Sequence, residues 1–189
     1  QLPNGEWVAL FGNGLGGRSV RPYLFVVHLA TRAVTNLLVD PNATGSGLGG
    51  VGVRKDAQGR IVALYAGDLA GNLWRLDYDA DAESRFKVGQ GGAAVFRHGP
   101  TVAGQPPSIV QPPLVFNHRK GGWLVVFGTG RLFTQADADD TSPQAVYGIW
   151  DQPADPGPAA TPPIGPVDLA PRRLALPPAD SQQSQPAFV

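Results

Sequence analysis

Residues 65–77 read YAGDLAGNLWRLD. An apolar run ends at Asp68, the chain turns through Ala70–Gly71, and a second apolar run begins after Asn72. Asp68 and Asn72 bracket the turn, where short polar side chains bond turn amides and glycine takes positive φ. The stretch therefore reads strand, tight turn, strand. Its first half belongs to an internal repeat. GEWVALFGNG (5–14) and GGWLVVFGTG (121–130) align without gaps, and RIVALYAGDLAG (60–71) is a looser third copy. Superposing Phe11, Tyr65 and Phe127 gives spacings of 54 and 62 residues. Repeats of roughly 40–50 residues made of several short strands mark β-propeller blades. Long loops such as Pro41–Gly52 and Asp137–Pro143 accommodate the extra residues.

The other runs agree. YLFVVHLA (23–30), PLVF (113–116) and AVYGIW (145–150) are short, β-branched and aromatic, and turn formers bound most of them. No segment sustains helical spacing behind a capping residue. With 25 glycines and 19 prolines beside 42% hydrophobic residues, the chain is heavily punctuated yet able to bury a core. The fold expected is all-β and propeller-like, built from short antiparallel strands. At this period 189 residues hold about three to four blades, where propellers usually close with four to eight, so an incomplete or irregular propeller is expected. Residues 1–151 form that domain, with about three blades. Residues 152–189 are a proline-rich loop or linker, with a further strand in RRLAL (172–176).

Charge is balanced at 15 basic and 15 acidic residues, which gives no footprint for nucleic acid. Cysteine is absent, excluding disulfides and thiolate chemistry. No apolar run approaches the roughly 20 residues of a membrane helix. The chain opens on Gln1 and has no methionine, as a processed product or excised piece would.

Gly12, Gly14 and Gly17 spell G-x-G-x-x-G, the outline of a dinucleotide turn. That turn needs a helix whose N-terminus holds pyrophosphate, and an acidic residue about 20 positions on. Pro22 and Leu24–Val27 read instead as a strand, and Asp40 comes too late. FGTGR (127–131), with Gly128 and Gly130, repeats the ending without the third glycine. Gly12 and Gly14 are therefore structural turn residues. Asp77, Asp79 and Asp81 have the D-x-D-x-D spacing of an oxygen-ligand loop, but Ala82 stands at the glycine position and no glutamate closes it. Asp137, Asp139 and Asp140 form a second acidic group. His28, His98 and His118 fall in no metal or triad motif; His28 reads as a hydrogen-bonded core residue. Ser19, Ser46 and Ser108 lack a nucleophile elbow. Trp7, Trp74, Trp123 and Trp150 read as inter-blade packing.

YAGDLAGNLWRLD carries the blade hairpin of quinoprotein-like propellers. Together with FGTGR (127–131) and YGIWD (147–151), in this order, it resembles the propeller domain of the PilY/PilC family of type IV pilus tip and biogenesis proteins. FGNG (11–14) and YLFVVHLATR (23–32) fit the same pattern. The resemblance implies a non-catalytic role and an exported chain at the cell surface, pilus tip or outer membrane. It implies pilins, assembly proteins or a host or abiotic surface as partners, met by the loops Leu15–Arg21, Pro41–Gly50 and Asp137–Pro143. It also implies a calcium loop, D-x-[DN]-x-D-G-x-x-D, just before the YAGD strand. Here those positions hold Arg54, Asp56, Gln58, Gly59 and Val62, of which only Asp56 and Gly59 match. Arg54 sets a positive charge at the first ligand position, so the loop is expected to survive as a turn without calcium and no other cofactor is expected. Two rivals remain. A quinone-cofactor enzyme requires an axial pocket with calcium and a catalytic carboxylate, and a carbohydrate-binding propeller requires exposed tryptophans.

Overall fold

Most apolar runs become strands within one or two residues of their sequence limits. The computed structural model describes residues 1–14, 20–99, 106–152 and 163–172, with the backbone of 174–175 and 187–188. Most of the loop expected at 15–21, with Gly17 and Ser19, and much of the proline-rich region lie outside the described residues. In the first sheet β1 (Val8–Gly12), β2 (Tyr23–His28) and β3 (Val34–Leu38) pair antiparallel in chain order. The second contains β4 (Leu48–Lys55), β5 (Ile61–Asp68), β6 (Asn72–Tyr78) and β7 (Phe86–Val88), with β8 (Phe96–Arg97) also on β6. The third has β10 (Trp123–Gly128) between β9 (Leu114–Asn117) and β11 (Val146–Asp151). Within RRLAL, β12 (Leu174–Ala175) pairs with β13 (Ala187–Phe188). The one α-helix among the described residues is α1 (Gln135–Ala138), a single turn that overlaps the start of the predicted loop Asp137–Pro143.

The sheets stack face to face, which fixes where the core lies. Successive side chains of a strand point to opposite faces. From β5 and β6, Leu64, Ala66, Trp74 and Leu76 join Leu24 and Val26 of the first sheet in one core cluster. The alternate residues Tyr65 and Leu73 join Val125, Phe127 and Ile149 of the third sheet in a second cluster. The middle sheet is thus covered on both faces, and its strands read as near-continuous apolar runs for that reason. This is an all-β, irregular propeller arrangement, with three, five and three strands in the stacked sheets.

Strand β4, sequence LGGVGVRK, does not stand out as an apolar run, and it takes the last three residues of the predicted loop 41–50. Its glycines look like turn formers but serve a close crossing instead. The segment Ile109–Pro113 passes over β4, and a Cβ at Gly49 would lie 2.8 Å from the Val110 carbonyl oxygen. At Gly52 a Cβ would collide with the carbonyl of Pro113.

The three repeat copies do not occupy equivalent places. Tyr65 and Phe127 lie on β5 and β10, each flanked by a strand on both sides, whereas Phe11 lies on the edge strand β1. Tyr65 and Phe127 face the seam between two sheets and are fully or nearly buried, while Phe11 points away from the core face that Val8 and Leu10 occupy and is 48% exposed. The same difference corrects the reading of Trp7 as inter-blade packing. Trp7 precedes β1 and is 62% exposed, although its aligned partner Trp123 packs under Arg54 of the second sheet, 5.2 Å from ring centre to guanidinium carbon.

Candidate functional site

One buried carboxylate ties the β5–β6 hairpin together. Asp68 Oδ1 accepts the Asn72 amide at 2.9 Å; Oδ2 accepts Asn72 Nδ2 at 2.9 Å and Trp74 Nε1 at 2.8 Å. Its backbone carbonyl accepts the amides of Gly71 and Ile109. Gly71, at φ 74°, supplies the positive-φ residue of the turn. Burial pushes the Asp68 carboxyl above its usual value, with the Asn72 and Trp74 donors pulling against it. Asp68, Gly71 and Asn72 are thereby placed as one unit, and its work is holding a turn.

The glycine pairs divide the labour of FG-x-G. Gly12 and Gly128 end β1 and β10 in extended backbone, while Gly14 and Gly130 take φ of 75° and 115°. Between the first pair, Asn13 Oδ1 accepts the amides of Tyr23 and Leu48 at 3.0 and 2.9 Å, and Asn13 Nδ2 donates to the Arg21 carbonyl at 2.8 Å. Among the described residues the next element is the strand β2 rather than a helix.

A polar bolt crosses from the second sheet to the third, and sequence reasoning missed it. The Tyr65 hydroxyl donates to Asp151, and Arg75 Nη1 donates to both oxygens of the same carboxylate at 3.0 and 3.1 Å. Arg75 also pairs with Asp77 at 3.1 Å. Asp151 is 5% exposed and Arg75 9%. Burial and the neighbouring Asp151 charge hold the Tyr65 hydroxyl far above its usual range, so it remains a donor. The signal was present in the sequence: Arg75 and Asp151 stand in YAGDLAGNLWRLD and YGIWD at positions where alternation demands a core-facing residue. A second tie joins the first two sheets. Glu6 accepts Arg85 Nη2 at 2.9 Å and lies 3.0 Å from His28 Nδ1, whose Nε2 faces Thr35 Oγ1.

The cation-loop candidates behave as turns. Asp56 Oδ1 accepts the amides of Gln58 and Arg60, both at 2.9 Å, and Asp56 Oδ2 accepts Arg60 Nε at 2.7 Å. Gly59 takes φ 78°. Arg54 turns away to Trp123. A calcium ion needs six to eight oxygens, and this donor set, with one carboxylate already saturated, does not fit one. Asp77, Asp79 and Asp81 do not converge either. Asp77 faces Arg75, while Asp79 takes Lys87 at 3.1 Å and the Asp81 amide. No group of three or more acidic, histidine or cysteine side chains among the described residues can hold a metal.

The acidic group at 137–140 organises a loop. Asp137 accepts Arg131 Nε at 2.7 Å and the amides of Phe133 and Thr134 at 3.0 and 2.9 Å. The Thr134 hydroxyl oxygen accepts the Asp137 amide in return, a capping box for α1. These bonds, first the Phe133 amide and then Arg131, hold the Asp137 carboxyl far below the usual carboxylate range. Asp140 accepts the Ser142 amide, and Thr129 and Ala145 pair at the loop base. The loop holds Leu132 and Phe133 in solvent, at 72% and 59% exposure. The histidines do not converge: His98 Nδ1 faces the Gly99 carbonyl, and His118 packs against Trp150 with tilted rings 4.5 Å apart at their centres. An open cleft of about 530 Å³ lined by Asp40, Asn72, Trp74 and Arg97 lies beside the hairpin turn, but Asn72 is already committed to Asp68 and to Arg97 Nε.

Comparison with known proteins matches this architecture. The family model of the PilY1 beta-propeller domain covers residues 1–165. The type IV pilus biogenesis factor PilY1 of Pseudomonas aeruginosa PAO1 is 32% identical over 173 residues, 80% of this chain and 15% of that protein. A PilY1 homolog from Xylella fastidiosa Temecula1 is 31% identical over 170 residues, 79% of this chain and 11% of that protein. The crystal structure of the P. aeruginosa PilY1 C-terminal domain superposes with a TM-score of 0.71 at 32% identity, over 86% of this chain and 38% of that one. The chain thus spans a minor part of each relative. Stacked antiparallel sheets, the Asp68 hairpin and a family match over most of the sequence together make this chain a member of the PilY1 beta-propeller domain family.

Proposed function

We propose that this chain is a non-catalytic binding and assembly domain of a type IV pilus-associated protein. It is exported and acts at the cell surface, pilus tip or outer membrane. Its partners are minor pilins or assembly proteins, or a host or abiotic surface. Membership of the PilY1 beta-propeller family carries this reading, since its relatives are named type IV pilus biogenesis factors. The chemistry of the fold supports it. The buried ionisable groups Asp68, Arg75 and Asp151 are consumed in scaffold bonds. Meanwhile the Arg131–Asp137 loop presents an apolar pair on a fixed frame, as a recognition loop does. No helix among the described residues is long and apolar enough to cross a membrane.

The test is to replace Leu132 and Phe133 with serine in the full-length protein and measure surface piliation and adhesion. Both are expected to fall while the amount of exported protein is unchanged. Wild-type piliation and adhesion would remove this loop from the interface.

A further inference from the structure

The β4–β5 turn has two oxygen-bearing side chains at the alternate spacing of a cation loop, and both point at one guanidinium. Arg60 Nε donates to Asp56 Oδ2 at 2.7 Å, and Arg60 Nη2 donates to Gln58 Oε1 at 3.3 Å. The free oxygen of Asp56 is taken by the amides of Gln58 and Arg60. The Asp56 amide in turn donates to the Arg60 carbonyl at 2.9 Å, and the Gly59 amide to the Asp56 carbonyl at 3.0 Å. The hydrogen bonds that shape the turn run among Asp56, Gln58, Gly59 and Arg60, and its side-chain bonds all involve Asp56 or Arg60. The Asp56–Arg60 pair has no net charge, and Arg54 stands two residues before it over the Trp123 ring. A divalent ion entering this turn would have to displace a guanidinium from its carboxylate and would gain a single anionic ligand in return.

We propose that Arg60 is the resident cation of this turn, its guanidinium closing the loop as a divalent ion closes an oxygen-ligand loop, so that the β4–β5 connection is ordered independently of calcium. The proposal is separate from the pilus reading, since it concerns how the turn is held and would stand if the domain met a different partner.

Amide hydrogen exchange at Gln58 and Arg60 reads the turn directly. In the unaltered chain, millimolar calcium chloride and EDTA are expected to give the same exchange rates at both amides. Arg60→Gln is expected to raise both rates roughly two- to fivefold, the range of a partly exposed ion pair, with no recovery on adding calcium. Arg60→Lys, which keeps the charge, is expected to recover part of the protection. Slower exchange in calcium that disappears in Asp56→Asn would overturn the proposal. So would an Arg60→Gln variant with unchanged rates, or equal rates in the glutamine and lysine variants.

Discussion

Asp68 is the residue on which the hairpin turns, and its environment contains only donors. The Asn72 amide, the Asn72 side-chain amide and the Trp74 indole all aim at its two oxygens. In Asp68→Asn, either orientation of the new amide sets an NH2 group against one of those donors. A buried donor left without an acceptor costs about 1–3 kcal/mol. We expect a loss of about 2–3 kcal/mol, read in thermal melts as a fall in Tm of roughly 5–10 °C for a chain of this size. Asp137 gives a residue-level pH effect. Its folded carboxyl titrates below the unfolded value, so the order it confers on the loop is complete above the usual carboxylate range, near 3.8, and is lost as pH falls through the lower folded value. Exchange protection at the Phe133 and Thr134 amides is expected to hold from neutral pH to about 5 and to decline only in stronger acid. Loss of protection already at pH 6 would contradict the assignment.

At the scale of elements, the seams between sheets carry the fold. Asp151 closes β11 and satisfies both Tyr65 and Arg75 across the seam. Asp151→Ala leaves the Tyr65 hydroxyl without its acceptor and Arg75 with Asp77 as its one ion-pair partner, a loss toward the lower end of the about 3–5 kcal/mol for breaking a buried pair. The double variant Arg75→Met/Asp151→Leu is expected to recover much of that loss in chemical denaturation. Equal destabilisation of single and double variants would show that packing, not charge, governs the seam. The sequence disclosed these elements unevenly. Strands β5 and β6 are apolar on successive residues because sheets cover them on both faces, and β10 announces itself as an apolar run although one of its faces alone joins a core. Strand β4 hides because its glycines answer to the Ile109–Pro113 crossing, a contact between segments about 60 residues apart. The turn at Asp56 was legible as an incomplete ligand set, while Arg60, one residue beyond the glycine, has no meaning until the chain bends it back. Tyr65, Arg75 and Asp151 were visible as residues of the family motifs, but their joining needs two sheets to meet.

At the scale of the whole molecule, a stack of short antiparallel sheets leaves loops as the part free to recognise a partner. The frame is rigid where Asp68, Asp151 and Glu6 fasten it, and the Arg131–Ala145 loop is held out from that frame by its own capping box. The central claim is that this domain serves a type IV pilus by binding. The most direct measurement is the amount of assembled surface pili after the segment encoding residues 1–165 is deleted in frame from its native gene. A marked loss of pili, restored by the intact gene but not by one carrying Leu132→Ser and Phe133→Ser, is the result expected. Normal piliation and adhesion in the deletion strain would contradict it.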